Sequence, residues 1–122
     1  MSKDGLNATE RLACAARAGF EACRVVMAAL GEESPRWRDL EDGTRLKFIS
    51  MADSIRLHPE RGPEALHGEW CEGMRNLGWI YGDEGDREAK IHPFLIEYER
   101  LPYHIRTRDR VFYATAKAVL HG

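Results

Sequence analysis

Residues 67–98 constrain the fold more than any other stretch, because they combine two of the three tryptophans with many residues that end or redirect a helix. Pro63, just upstream, suits a first helical turn, since its ring fixes φ and its nitrogen has no hydrogen to leave unpaired. The apolar positions that follow share one helix face: Ala65 or Leu66, Trp70, Met74 and Leu77. Gly78 then stands where a left-handed residue typically closes a helix.

The second half of this stretch predicts a small two-stranded element. Residues 79–81 read as a short aromatic strand, and residues 82–86 as an acidic turn with glycine. His92 precedes Pro93 and is therefore disfavoured in the helical region, so the second strand is predicted at residues 94–98. Two strands alone are marginal in water, and we expect helices to cover them.

Three further helices are predicted in the flanking regions. Their bounds are Thr9 to Leu30, Asp42 or Thr44 to His58, and Thr107 or Arg108 to a frayed end at His121 and Gly122. Glycine ends the first helix at position 31, and Pro59 ends the second. The sequence therefore predicts a mainly α (α+β) fold, a compact single domain of about four helices around a short two-stranded β element.

The composition excludes several classes of protein. A chain of 122 residues with 43% hydrophobic and 31% charged residues suits one modest globular core. A net charge of −2 and a pI near 6.2 argue against nucleic-acid binding, which relies on a basic surface. No apolar run suits a membrane span or a signal peptide. Three cysteines without C-x-x-C spacing predict free thiols in a cytoplasmic protein.

A set of motif residues at regular spacing resembles the RyR domain, a module named after the ryanodine receptor. They are His67-x-x-Trp70, Gly78-Trp79-x-Tyr81-Gly82, Asp86, Lys90-x-His92-Pro93, Tyr98, Leu101-Pro102 and Asp109. The chain departs from the family pattern at Phe20, Gly85 and Glu97. The resemblance divides the chain into a disordered N-terminus at 1–8, a helical leader at 9–61 and a RyR-type repeat unit at 62–122, with leader and repeat packed as one domain.

The resemblance implies a function in ligand binding. In the receptor these repeats occur in tandem and are associated with an adenine-nucleotide site lined by tryptophans, to which Trp79 corresponds. The family also occurs in small bacterial and phage proteins proposed as nucleotide sensors in conflict systems. The candidate ligand-binding residues are Trp79, Tyr81, Lys90, His92, His67, Tyr98 and Asp86.

The residue types at these positions are compatible with such a ligand. Trp79 and Tyr81 alternate along an extended segment, so both are predicted on one side, where aromatic faces can stack a base. Lys90 and His92 would then suit phosphate. Alternatively, the aromatic residues form the core between helices and strands, and a hydrogen bond beside Pro93 locks the ring of His92. Trp70, on the helix stripe, is interpreted as core.

Catalytic and metal sites are alternatives with less support. Cys71 lies four residues after His67, so a thiol and an imidazole share a helix face. His67, Cys71 and His92 could ligate zinc, but paired ligand spacings are missing. Asp86 is expected to accept backbone N–H groups within its turn. We therefore expect no enzyme activity, no cofactor and no bound metal.

The sequence favours two functions over a third, an enzyme acting on a nucleotide. The first is a non-enzymatic binding module for a small adenine- or NAD-derived nucleotide, acting as a sensor or a ligand-sequestering protein. The second is a protein-interaction module that docks through its aromatic and arginine-rich surface. A homodimer across the repeat unit is expected through Ile80, Phe94, Ile96 and Phe112, unless the N-terminal helices cover the same face.

Overall fold

The computed structural model describes residues 5–121 as four α-helices, two 3-10 turns and two short strands. The helices are α1 (Ala8–Ala29), α2 (Asp42–Leu57), α3 (Pro63–Asn76) and α4 (Tyr103–His121). The strands are β1 (Ile80–Tyr81) and β2 (Ile91–His92), and the 3-10 turns are Trp37–Asp39 and Tyr98–Arg100. The predicted mainly α fold, with four helices and a two-stranded element, is confirmed.

The first helix begins earlier than predicted because Asn7, rather than Thr9, is its cap. The Asn7 side chain accepts the backbone N–H of Glu10 at 2.8 Å, and its amide donates to the Glu10 carboxylate at 3.0 Å. This reciprocal arrangement satisfies donors that a helix start leaves unpaired. The predicted disordered segment 1–8 therefore overlaps the helix at Ala8, and its residues 1–4 lie outside the described residues, as does the predicted frayed end at Gly122.

Helix α3 has both of its predicted ends. Pro63 is its first residue, and the helix ends at Asn76 with Leu77 as the cap. Gly78 adopts a φ of +92°, and its N–H donates to Arg75 O at 2.9 Å. The N–H of Trp79 donates to Met74 O at 3.0 Å, which completes a glycine-terminated C-cap.

The buried face of α3 lies one residue away from the predicted stripe. Cys71 is the buried residue of this helix, whereas Trp70 and Met74 are half-buried and Leu77 is 65% exposed. The prediction was wrong at Leu77 because the helix ends there and the chain turns away at Gly78. One residue corresponds to about 100° of helix rotation, so Trp70 lies at the edge of the core instead of inside it.

The second strand was predicted in the wrong place. Strand β2 is Ile91–His92 and pairs in parallel with β1, with Ile80 opposite Ile91 and Tyr81 opposite His92. Residues 94–98 do not form a strand, because the N–H of Phe94 donates to Nδ1 of His92 at 3.0 Å and turns the chain.

Helix α4 begins a full turn before the predicted Thr107 or Arg108. The carbonyl of Pro102 accepts the N–H groups of Ile105 and Arg106 at 3.0 and 3.1 Å, so the helix starts directly after the proline. Ile105 consequently joins the buried face of α4 with Phe112, Tyr113 and Ala116.

Small residues allow α1 to pack closely on α4. Ala15 and Ala16 are fully buried, and a Cβ placed on Gly19 would lie only 2.8 Å from the Phe112 ring. Leu30, the predicted last residue of this helix, lies just beyond its end and is 57% exposed. The leader therefore covers Phe112, one of the four residues predicted for a dimer contact.

The closeness of Gly19 to Phe112 gives a stability prediction. Gly19→Ala is expected to lower the free energy of unfolding relative to Gly68→Ala by about 1–3 kcal/mol, the usual consequence of overpacking. Gly68 lies inside α3 with no atom within 4 Å of an added Cβ, so both variants share the helix-propensity gain and only one has the clash. Urea unfolding measures both. Equal stability of the two variants would contradict the packing described for α1.

Candidate ligand-binding site

A cavity of about 650 Å³ lies between the leader helices and the repeat unit. Each of the four α-helices contributes to its wall, together with β2, Phe94 just after it and Ser34 in the loop after α1. Its aromatic lining is Phe20 from α1, Phe48 from α2, Trp70 from α3, Phe112 from α4, and His92 and Phe94. Its ionisable side chains include Arg24, Lys47, His67, Glu69, Arg108 and Asp109.

A row of half-buried rings forms one wall of the cavity. His67 stacks on Trp70 with ring centroids 5.6 Å apart and planes inclined by 28°. The edge of His92 meets Trp70 at 4.9 Å, and Phe94 follows at 5.3 Å from His92. These contacts fix the orientation of the indole while leaving it partly accessible, since Trp70 is half-buried.

A second aromatic group lies across the cavity on the leader. Phe20 and Phe48 pack edge to face at 5.1 Å, and Trp37 lies 5.7 Å from Phe20. Edge-to-face pairs at such distances are favourable for aromatic quadrupoles. The cavity therefore has aromatic surfaces from both the leader and the repeat unit.

Three cationic side chains line the cavity, Arg24, Lys47 and Arg108, together with the carboxylates of Glu69 and Asp109. Burial lowers the pKa of His92 first, and the positive charges of Lys47 and Arg108 lower it further. Arg24 is held by an ion pair of 2.7 Å with Glu21, whose carboxylate also accepts the N–H of Trp37 at 2.8 Å. The Glu21 pKa is lowered chiefly by that backbone hydrogen bond, then by Arg24, so the carboxylate that positions Arg24 stays ionised.

Hydrogen bonds determine which nitrogen of each histidine carries a proton. Nδ1 of His92 accepts the N–H of Phe94, which leaves Nε2 as the protonated nitrogen of the neutral ring. Nε2 of His67 lies 2.7 Å from the carbonyl oxygen of Ile96, a contact that requires a proton on this nitrogen. Both rings are therefore fixed parts of the wall, as expected for His92 from its neighbour Pro93.

The structure brings two of the seven candidate residues, His67 and His92, to the cavity. Trp79 is half-buried against His92, with ring centroids 6.2 Å apart, but does not line the cavity. The exposed Tyr81 hydrogen-bonds to Asp83, and both residues of β1 are exposed. Trp79 and Tyr81 thus form no shared stacking surface on the cavity.

The remaining candidates have structural contacts outside the cavity. Lys90 donates from Nζ to the carbonyl of Leu77 at 2.8 Å and so caps α3. Tyr98 is buried, and its hydroxyl donates to the carbonyl of Arg106 at 3.2 Å. Asp86 accepts the N–H groups of residues 88 and 89 at 3.1 and 3.2 Å, which is the local role expected of it.

Sequence reasoning missed most of the cavity wall. Trp70 carried a usable signal, because it stands three residues after His67 and the two therefore share a helix face. Phe20 carried a signal as a departure from the family pattern, whereas Lys47 carried none, since it belongs to α2 and reaches the cavity only through tertiary packing.

The thiol and imidazole on α3 are in contact, and the thiol is buried. Cys71 Sγ lies 3.3 Å from Nε2 of His67, yet Cys71 is only 4% exposed and burial raises its pKa. Cys23 is also buried, and its pKa is raised to about 11 by desolvation. A protonated thiol is a poor nucleophile. Cys14, Cys23 and Cys71, all within the described residues, form no disulfide.

Within residues 5–121, no group of three or more His, Cys, Asp and Glu side chains is arranged to hold a metal ion. None of the helices in this range is both long and apolar enough to cross a membrane.

Comparison with known protein families identifies the chain. Residues 45–120, more than half of its length, match the RyR domain family. The chain therefore belongs to the RyR domain family, as its motifs indicated. The match covers α2, α3, the strands and α4, whereas α1 lies upstream of it. No curated protein and no solved structure matches the chain.

Proposed function

We propose that this RyR domain is a non-enzymatic binding module for a small adenine-containing nucleotide, held in the cavity between leader and repeat unit. The observation that carries the proposal is a single cavity lined by both aromatic rings and cations. A base presents a π-face and its phosphates present negative charge, so a nucleotide requires this combination of groups.

The size and lining of the cavity support a small-molecule ligand. Its volume of about 650 Å³ lies in the range typical of ligand sites. Most of the lining is apolar or aromatic, with a few charged groups that can fix orientation, which is the usual composition of such sites. We propose Trp70 as the stacking surface, because its indole is held by His67 and His92 and borders the cavity.

The cations support the placement of phosphate. Lys47 is exposed and lies near His92, as does Arg108, so two positive charges face one region of the cavity. The guanidinium of Arg24 adds a third charge from α1. Neutral His92 adds a donor at Nε2, the nitrogen not used by Phe94.

Titration calorimetry with ATP and ADP-ribose tests the proposal. Lys47→Gln is expected to weaken binding at least about tenfold, since a charge-assisted contact contributes about 1.5–3 kcal/mol. Lys117→Gln is the matched control, because Lys117 lies over the Tyr113 ring and does not line the cavity. Failure of both nucleotides to bind the wild type, or equal affinity in the two variants, would contradict the proposed site.

Exposed apolar residues around β1 favour a second function, docking of a protein partner. Leu77 and Ile80 are 65% and 60% exposed, and Tyr81 lies beside them. Of the four residues expected in a homodimer contact, only Ile80 is exposed, since Phe112 is buried and Phe94 and Ile96 are half-buried.

We propose a homodimer through Leu77 and Ile80, which light scattering at micromolar concentration can test. The wild type is expected to show a dimer mass, and Ile80→Asp a monomer mass because charge disrupts an apolar contact. Leu57→Asp, at another exposed apolar position, is the control and should remain dimeric. A monomeric wild type would exclude this second function in its homodimeric form.

A further inference from the structure

Asp109 is a cavity-lining carboxylate whose hydrogen-bonding capacity is largely unused within the protein. It lies on α4, and its side chain is 22% exposed. Among the described residues, its hydrogen bonds come from its neighbour Arg108, whose Nε and Nη2 are each 3.4 Å from Oδ1. Both distances exceed those of a normal N–H···O bond. The carboxylate therefore retains acceptor capacity toward the cavity.

Glu69, the other carboxylate on the cavity wall, differs in this respect. One of its oxygens accepts the hydroxyl of Ser54 at 2.9 Å, and the other lies 3.1 Å from Nη1 of Arg61. Both oxygens are thus engaged by α2 and the loop before α3. Glu69 therefore connects α3 to α2 and to the loop before α3. The hydrogen bonds described for Asp109 come from its neighbour in the same helix and connect no other element.

Burial opposes the ionised form of Asp109 more than the nearby Arg108 stabilises it. Burial raises its pKa, because a desolvated carboxylate resists ionisation. A negative charge in a cavity that attracts phosphate also opposes binding of an anion. A carboxylate retained in this position is explained if it contacts a part of the ligand that donates hydrogen bonds, since an ionised carboxylate is only an acceptor.

We infer that Asp109 recognises the vicinal hydroxyl pair of a ribose, so that the cavity selects ribonucleotides over sugars lacking these hydroxyls. The inference rests on the proposed function and adds the sugar to the base and phosphate contacts. Two carboxylate oxygens can accept from two neighbouring hydroxyls at once. In dinucleotide-binding folds, whose architecture is unrelated, a carboxylate likewise accepts a hydrogen bond from a ribose hydroxyl.

Titration calorimetry with ATP and 2′,3′-dideoxy-ATP tests the inference. The wild type is expected to bind ATP at least about tenfold more tightly than the dideoxy compound, as expected when a buried acceptor loses its partner. Asp109→Asn should lose this preference and bind ATP about tenfold more weakly. Glu69→Gln removes the same charge from the wall and should keep the preference.

The outcomes separate hydrogen bonding from simple charge. If Asp109 acted only as a negative charge, Asp109→Asn would bind ATP more tightly, and this result would overturn the inference. If the wild type bound ATP and 2′,3′-dideoxy-ATP with equal affinity, that measurement alone would overturn the inference. If neither ATP nor ADP-ribose binds the wild type, the proposed function fails as well. If ATP binds but Asp109→Asn behaves like the wild type, only the inference fails.

Discussion

Trp70→Ala is expected to weaken nucleotide binding by about 5- to 150-fold, because stacking on an aromatic side chain contributes about 1–3 kcal/mol per base. The indole borders the cavity and is oriented by His67 and His92, so its removal takes away the proposed stacking surface. Trp70→Phe should retain part of the affinity, since a smaller π-face remains. Titration calorimetry with ATP measures each loss.

Trp79→Ala is the matched control for this prediction. Trp79 is also half-buried and also contacts His92, but it lies outside the cavity. Its replacement should leave the affinity for ATP within about twofold of the wild type, well below the loss of a stacking contact. A large loss in Trp79→Ala with normal binding in Trp70→Ala would move the site to the surface around β1, where the sequence had placed it.

Phe112→Ala is expected to lower the free energy of unfolding by about 3–5 kcal/mol, as is typical of a phenylalanine truncated in a core. Phe112 is 4% exposed, packs on Gly19 of α1 and lies 5.8 Å from the ring of Phe48 on α2. It therefore joins three helices. Because it also lines the cavity, its loss would enlarge the ligand site.

Tyr103→Ala is the control within the same helix. Tyr103 is 69% exposed, and its ring contacts are with Arg106 and Arg110. Exposed cation–π contacts contribute about 0.5–1 kcal/mol, so the expected loss is no larger than about 1 kcal/mol. Chemical denaturation compares the two variants. Similar losses in both would contradict the central position of Phe112.

Local signals in the sequence were sufficient for the ends of α3 and for the fold class. Pro63 and Gly78 act on their own backbone, so their effects do not depend on distant contacts. The start of α4 was missed because the prediction relied on Thr107 or Arg108 and took no account of Pro102, which directly precedes the first helical turn. The second strand was predicted at the wrong residues because a hydrogen bond to the His92 side chain turns the chain after β2. The hydrophobic pattern of a sequence does not predict such a bond.

The site was harder to predict than the fold because tertiary packing creates it. The motif residues around the strands mostly stabilise local structure, as Asp86 does in its turn and Lys90 at the end of α3. The cavity depends on α1 and α2 packing over α3 and α4, which brings Arg24 and Lys47 to the repeat unit. Because Cys71 is the residue of α3 that is buried in the core, the neighbouring Trp70 lies at the edge of the core and borders the cavity.

The tryptophan side chains offer the most direct test of the central claim that the cavity binds a nucleotide. Each of the three indole N–H groups gives its own signal in a nitrogen-15 correlation spectrum. On titration with ATP, the signal of Trp70 is expected to shift strongly and saturably, while that of Trp79 stays near its starting position. A saturable shift of Trp79 without one of Trp70, or no shift of either signal, would contradict the account.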